Sequence, residues 1–224
     1  MRSGREVPVD DLAAWVSARV CVERRYVLGI AGPPAAGKST LAQNLAAAMT
    51  AAQAIPAEIA PMDGFHKTSA ELDAVGARHR KGQPDTFDVA GFVARLKQLR
   101  EAPLGERVSW PIYDRGLHDP VPDAITFAQQ RVAVVEGNYL LLDQPGWSEV
   151  RSHLDEVWYL DAEEGVIERR LTDRHLLGGK TSEQARMKIV DSDMPNARLI
   201  AGTRDRADMV LRETAGNYLI CRVR

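Results

Sequence analysis

The chain has 224 residues, 45% of them hydrophobic and 27% charged, with 29 Lys+Arg against 31 Asp+Glu for a formal net charge of −2. That length holds one sizeable hydrophobic core or two small ones, and the composition excludes collagen, a disordered tail and a coiled-coil rod. A near-neutral balance also argues against a surface built to coat DNA or an anionic membrane, since both need a cationic face.

Asp10 is placed to cap a first helix, and 1–24 reads as an N-terminal helical segment with Leu12, Trp15, Val16, Arg19 and Val20 at helical spacing. Residues 26–31 form an apolar run ending in glycine and proline, which predicts a buried strand. A loop over 32–37 then leads into a helix over 38–49, rich in alanine and leucine. A second strand is expected over 54–62, a helix over 87–100 and a strand over 107–112. Residues 131–136 (RVAVVE) read as a central parallel strand buried on both faces, and 157–160 repeats that pattern. Charged helices are expected over 163–176 and 182–190, with closing strands at 207–211 and 218–223. Strands alternating with helices predict a single α/β domain over 1–224 with a largely parallel sheet.

Cys21 and Cys221 show neither metal-ligand nor CxxC spacing and are expected as reduced thiols. The first ten residues, MRSGREVPVD, lack the apolar segment of a signal peptide. The charge-free run 39–57 contains Gln43, Asn44, Thr50, Gln53 and Pro56, so it would insert poorly into a bilayer. A cytoplasmic protein is expected, without membrane or nucleic-acid partners; a homodimer is compatible with this reading.

The strongest chemical signal is Gly32-Pro33-Pro34-Ala35-Ala36-Gly37-Lys38-Ser39, which matches G-x-x-x-x-G-K-[ST] between a strand and a helix. Glycines let backbone N–H groups wrap a phosphate chain, and the following helix presents its positive N-terminus. Lys38 is expected to reach the β- and γ-phosphates and Ser39 to ligate Mg²⁺. The nucleotide-binding candidates are therefore Gly32, Pro33, Pro34, Ala35, Ala36, Gly37, Lys38, Ser39 and Thr40, and the expected ligands are ATP and Mg²⁺. A GTPase would add D-x-x-G, which Asp143 to Gly146 supplies, and N-K-x-D, which the chain lacks. An ABC ATPase would carry L-S-G-G-Q, of which Leu176-Leu177-Gly178-Gly179-Lys180 is a superficial echo.

Asp63 stands at the end of the second predicted strand, facing the crevice where open α/β sheets bind ligands. It could serve as a general base toward an attacking hydroxyl, or Asp63-Gly64 could simply make a turn. The segment from Trp110 to His118 mixes aromatic, acidic, basic and imidazole groups suited to a polar metabolite, or to an ordinary polar loop. Glu136, closing the most buried strand ahead of Gly137 and Asn138, occupies the position of a Walker-B-like acid for Mg²⁺. Arg169, Arg170, Arg174 and His175 form a basic cluster on a helix, with Arg170 and Arg174 four residues apart, ahead of a Gly178-Gly179 hinge. They could close over phosphates as a lid spanning 163–180, or lie on a solvated face.

The order of these motifs, together with Met62-Asp63-Gly64-Phe65-His66, Pro84-Asp85-Thr86-Phe87-Asp88, Tyr113-Asp114 with His118, and Asp191 to Ile200, resembles the uridine kinase, phosphoribulokinase and bacterial pantothenate kinase group. Within it, the chain resembles bacterial proteins named as fructose transport system kinases or, more generally, as nucleoside/nucleotide kinase family proteins. The resemblance implies a three-layer P-loop fold with a helical lid and γ-phosphoryl transfer from ATP to a small alcohol: a sugar first, a nucleoside or pantothenate-like alcohol second. It further implies Asp63 as base and Glu136 as the metal-associated acid. His66, Tyr113, Asp114, His118, Glu136 and Asn138 would line the acceptor side, with Arg170 and Arg174 in the lid beside Lys38. Uridine kinases usually carry Arg-Arg-x-x-Arg-Asp in the lid; here Arg169-Arg170-Leu171-Thr172-Asp173-Arg174 shifts the last arginine, which leaves open which lid side chain meets phosphate. Against this kinase reading stand a GTPase-like switch and a non-catalytic ATP-binding regulator.

Overall fold

Burial on both faces decides which apolar runs become the middle of the sheet. The computed structural model describes residues 3–224. Its strands are β1 (Glu6–Val7), β2 (Tyr26–Ala31), β3 (Ala57–Pro61), β4 (Val108–Asp114), β5 (Asp119–Phe127), β6 (Val132–Gly137), β7 (Glu156–Asp161), β8 (Met209–Thr214) and β9 (Asn217–Val223). The helices are α1 (Val9–Ser17), α2 (Lys38–Ala52), α3 (Ser69–Ala74), α4 (Val89–Glu101), α5 (Glu164–Leu177), α6 (Ser182–Lys188) and α7 (Met194–Ala201).

The seven-stranded sheet runs β1-β9-β8-β7-β2-β6-β3, parallel from β8 through β3, with β9 and β1 added antiparallel at one edge. Every residue of β2 is buried, and its neighbours β6 and β7 are buried almost throughout. Side chains alternate in consequence. Val27, Ala31, Ala133, Val135 and Tyr159 pack with Phe92, Leu96, Trp110 and Trp147 on one face. Leu28, Ile30, Val134, Trp158 and Leu160 pack with Leu12, Val16, Leu41 and Leu45 of α1 and α2 on the other. The result is the expected three-layer α/β fold.

Several elements differ from the sequence reading, among them β1 and α3, which it did not anticipate. The first helix ends at Ser17, not near residue 24, because the chain beyond it is committed elsewhere. Arg24 pairs with Asp155, and fully buried Arg25 donates to the carbonyls of Leu99, Ala128 and Gln130 under the sheet. Pro8 precedes the helix in extended conformation, so Asp10 sits in its first turn instead of capping it; Met1 and Arg2 of that predicted segment lie outside the described residues. Strand β4 pairs only with the unanticipated β5, as a hairpin outside the main sheet. Pro120 and Pro122 in β5 lack the N–H donors that an interior strand needs. The helix begun at Ser182 passes through a π-turn (Ile189–Asp193) into α7, also unanticipated. Buried Ile167, Leu171, Ile189, Met194 and Ala197 give the α5–α7 arm a small core of its own, separate from the two faces of the sheet.

Among the described residues, no helix is long and apolar enough to cross a membrane. Cys21 and Cys221 are both free.

Candidate active site

A cleft of about 1060 Å³ opens at the carboxyl ends of β2, β6 and β3 and is bordered by the hairpin and the helical arm. Three neighbouring strands place the central groups. β2 runs into the loop 32–37, β6 ends with Glu136 and Gly137, and β3 delivers Asp63 on a short 3₁₀ turn (Met62–Phe65). Glu136 is in register with Ile30 on one side and Pro61 on the other, so it stands between the loop and the Asp63 turn.

The loop geometry follows from its glycines. Gly32 has φ +151°, and a Cβ there would lie 2.5 Å from the Leu160 carbonyl oxygen. Gly37, left-handed at φ 102°, occupies the N-cap of α2 and provides no side-chain cap, so the first N–H groups of that helix remain available to an anion. Pro34, Ala35, Gly37, Lys38, Ser39 and Thr40 line the cleft. Buried Ala36 packs behind them, and the Pro33 carbonyl accepts a 2.8 Å bond from Lys38 Nζ. Lys38 also donates to Asn138 Oδ1 at 2.7 Å, while Ser39 Oγ donates to Glu136 Oε1 at 3.1 Å. Burial pushes the Lys38 ammonium pKa down, opposed by the charges of Glu136 and Asp63. Burial and then Asp63 push the Glu136 carboxyl up, opposed by Lys38 and the Ser39 hydroxyl.

His66, Phe87 and Tyr113 build an aromatic wall beside Asp63. The His66 ring stacks on Phe87 at 3.9 Å and lies 4.8 Å from Tyr113, with Nε2 4.0 Å from Asp63 Oδ1. Burial lowers the His66 pKa to about 4, and its Nδ1 is buried without a hydrogen-bond partner. The unfolded chain, at the ordinary 6.5, therefore binds this proton more readily than the fold. From pH 6.5 down to pH 4 this difference should remove about 3 kcal/mol of stability, all of it present above pH 6.5. Urea unfolding across that range, with His66→Gln flattening the slope, checks this expectation; an NMR titration midpoint near 6.5 contradicts it.

His118 lines the cleft from the hairpin turn in a left-handed conformation (φ 56°), but Asp114 does not line it. The Asp114 Oδ1 accepts the Gly116 and Leu117 N–H groups at 2.7 and 2.9 Å, so its side chain is spent on the turn. The two lid arginines also part company. Arg170 donates to the Ala35 and Ala36 carbonyls and pairs with Glu213 at 2.8 Å, which ties α5 to the loop. Arg174 lines the cleft within electrostatic reach of Lys38 and makes no ion pair among the described residues. Exposed Arg169 stays outside the cleft, while His175 meets Asp193 at 2.6 Å and joins α5 to the π-turn.

Sequence reasoning missed Lys81 and Asp119. Lys81 Nζ donates to the Ser69 hydroxyl, the His118 carbonyl and Asp119, clamping the segment after α3 to the hairpin, 5.2 Å from the Tyr113 ring. The basic run Arg78-His79-Arg80-Lys81 ahead of Gly82 was the available signal; its partner on β5 was not readable without the hairpin.

The chain is 36% identical over 198 residues to the uncharacterized protein YggC of Escherichia coli (strain K12), covering 88% of this chain and 81% of that one. It is 34% identical over 201 residues to a protein of Schizosaccharomyces pombe (strain 972) named as a candidate uridine kinase, covering 85% and 84%. Among solved structures, a candidate fructose transport system kinase from Silicibacter sp. TM1040 superposes with a TM-score of 0.83 at 36% identity, covering 90% of this chain and 98% of that one. The family described as phosphoribulokinase/uridine kinase matches residues 27–219, from β2 and its phosphate loop to the last strand, and the chain belongs to that family of P-loop kinases.

Proposed function

We propose that this protein transfers the γ-phosphoryl group of ATP to a hydroxyl of a small polyhydroxylated metabolite of the sugar type. Family membership supports the coarse class, a phosphotransferase with an alcohol acceptor. The observation that carries the reading is the position of Asp63, close to Lys38 and Glu136 at the mouth of the phosphate loop and against the aromatic wall. An acceptor lying on that wall brings its hydroxyl to the carboxylate and toward the loop. Asp63 takes the hydroxyl proton as the acceptor oxygen bonds to the γ-phosphorus and the bond to the β-phosphate oxygen breaks, releasing ADP.

In this scheme the α2 N-terminus and the loop amides hold the phosphates, and Lys38 exchanges its bonds to the Pro33 carbonyl and Asn138 for phosphate oxygens. Arg174 stabilises charge on the transferring group, and Arg170 holds α5 against the loop. The all-oxygen pair of the Ser39 hydroxyl and Glu136 carboxyl fits Mg²⁺, which in phosphate enzymes takes one or two protein ligands and the phosphates. Bound there, Mg²⁺ would neutralise charge on the phosphates.

A GTPase-like switch has less support. Asp143 of the D-x-x-G match pairs with Arg206 at 2.7 Å and does not line the cleft. An ADP-release assay with ATP and Mg²⁺ against sugars and their derivatives, nucleosides and pantothenate tests the proposal. Sugar-type acceptors are expected to stimulate ADP formation most. Equal, acceptor-independent hydrolysis by the wild type and Asp63→Asn would instead favour a nucleotide-binding regulator.

Gly64 gives a second handle on the base. Its Cα packs so closely on β4 that a Cβ would lie 2.2 Å from the Pro111 carbonyl oxygen. Gly64→Ala must therefore push the Asp63 turn away from the hairpin, and a shift of about 1 Å should lower kcat roughly 100-fold. Steady-state kinetics alongside a melting curve checks this; unchanged kcat means that the turn does not position the base.

A further inference from the structure

The acceptor side of the cleft carries more positive charge than nucleotide binding employs. Eight Lys and Arg side chains line the cleft against four Asp and Glu. Three of the eight are matched: Arg78 with Asp73 at 2.7 Å, Lys81 with Asp119 at 2.8 Å and Arg170 with Glu213 at 2.8 Å. Asp193 is taken by His175, which leaves Asp63 and Glu136 as the cleft carboxylates facing Lys38, Arg115, Arg174, Lys180 and Lys188. None of those five cations forms an ion pair among the described residues, whereas eleven arginines outside the cleft do; Arg5, Arg24, Arg151 and Arg222, for example, all hold carboxylates at 3.3 Å or less.

Lys38 and Arg174 stand at the phosphate loop, but the other three cations border the acceptor wall. Lys188 Nζ lies 3.5 Å from the Lys81 carbonyl and 3.0 Å from Ser192 Oγ, so it sits beside the clamp that holds Tyr113 and His118. Lys180 is within electrostatic reach of Lys188. Arg115 follows Tyr113 by two residues on the hairpin turn and is within electrostatic reach of Glu136. Asp193 acts on Lys188 and Glu136 is in the field of Arg115, but neither carboxylate closes to ion-pair distance, so the cluster keeps positive charge with which to hold an anion.

Resting on the kinase reading, we infer that the acceptor itself carries an anionic group, a carboxylate or a phosphate monoester, held by Arg115, Lys180 and Lys188 while its hydroxyl faces Asp63. The acceptor is then a sugar acid or a sugar phosphate in preference to a neutral sugar or nucleoside. The same arrangement closes the arm onto the hairpin, since Lys188 and Lys180 lie on one and Arg115 on the other.

The test compares glucitol and fructose with gluconate and fructose 6-phosphate, by ADP release with ATP and Mg²⁺ and by tryptophan-fluorescence titration in the presence of a non-hydrolysable ATP analogue. At least one anionic probe should exceed its neutral counterpart about tenfold in kcat/KM, with a KM that rises with salt while that of the neutral probe stays flat. Which of gluconate and fructose 6-phosphate responds separates carboxylate from phosphate. Arg115→Met and Lys188→Met should each raise the KM for the anionic probe about tenfold and change the KM for ATP less than about twofold. Arg115 is exposed on the turn, so its variant is informative even if Lys188→Met loosens the arm. Neutral probes that match or beat the anionic ones, or variants that raise the KM for ATP instead, overturn the inference and leave the kinase reading standing. Salt-sensitive binding of an anionic probe without turnover upholds the anion site and sinks the kinase reading; neither binding nor turnover with any probe sinks both.

Discussion

Asp63→Asn is expected to lower kcat about a thousandfold, the span that a positioned general base contributes, with a near-normal KM for ATP. The substitution keeps the size of the side chain and its place on the 3₁₀ turn after β3, so the loop, Lys38 and Ser39 keep their geometry. What it removes is the acceptor for the hydroxyl proton. It also removes a charge that acts on both neighbours: Asp63 pushes the Glu136 carboxyl up and supports the Lys38 ammonium. Without it Glu136 should ionise more readily, which favours metal binding, so ATP affinity should hold or improve slightly while turnover collapses. That split between kcat and the KM for ATP distinguishes a base from a residue that merely shapes the site. A parallel loss of ATP affinity, measured by titration of the variant, contradicts the assignment.

The central sheet and the phosphate loop were legible because each is written locally. An apolar run such as 132–135 can be buried only inside a covered parallel sheet, and the spacing of Gly32, Gly37 and Lys38 declares the loop with its strand and helix. The acceptor side was less legible because its contacts join distant segments. Asp114 looked available in sequence, yet Gly116 and Leu117 claim it, whereas Asp119, five residues later, anchors Lys81 from another element. The hairpin itself was half visible: β4 has the apolar residues of a strand, but β5 contains two prolines that suppress a strand reading and also keep it out of the main sheet. Arg170 and Arg174 share a helix face by spacing, and only packing separates them, since Arg170 alone reaches the Ala35 and Ala36 carbonyls and Glu213.

Glu156→Ala is expected to cost about 4 kcal/mol of stability, the largest single-site loss outside the apolar core. Glu156 opens β7, is only 8% exposed, and receives the Trp15 and Trp158 indole N–H groups at 3.1 and 2.7 Å and the Tyr26 hydroxyl at 3.0 Å. Arg19 adds an ion pair at 3.3 Å and lies 3.7 Å over the Trp15 ring. One side chain thus ties α1 and the turn after it to β2 and β7, which gives the N-terminal segment its place in the fold. Alanine leaves three donors without an acceptor in a space that water enters poorly, and their desolvation makes up most of the loss. Glu156→Gln keeps an acceptor oxygen but forfeits the pair with Arg19, so it should lose roughly half as much. Thermal unfolding of the alanine variant should begin roughly 10 °C lower. The cleft lies at the other end of β2 and β7, so kcat measured well below that transition should match the wild type. A loss under about 1 kcal/mol would mean that water replaces the carboxyl group and that the cluster is less closed than its distances indicate.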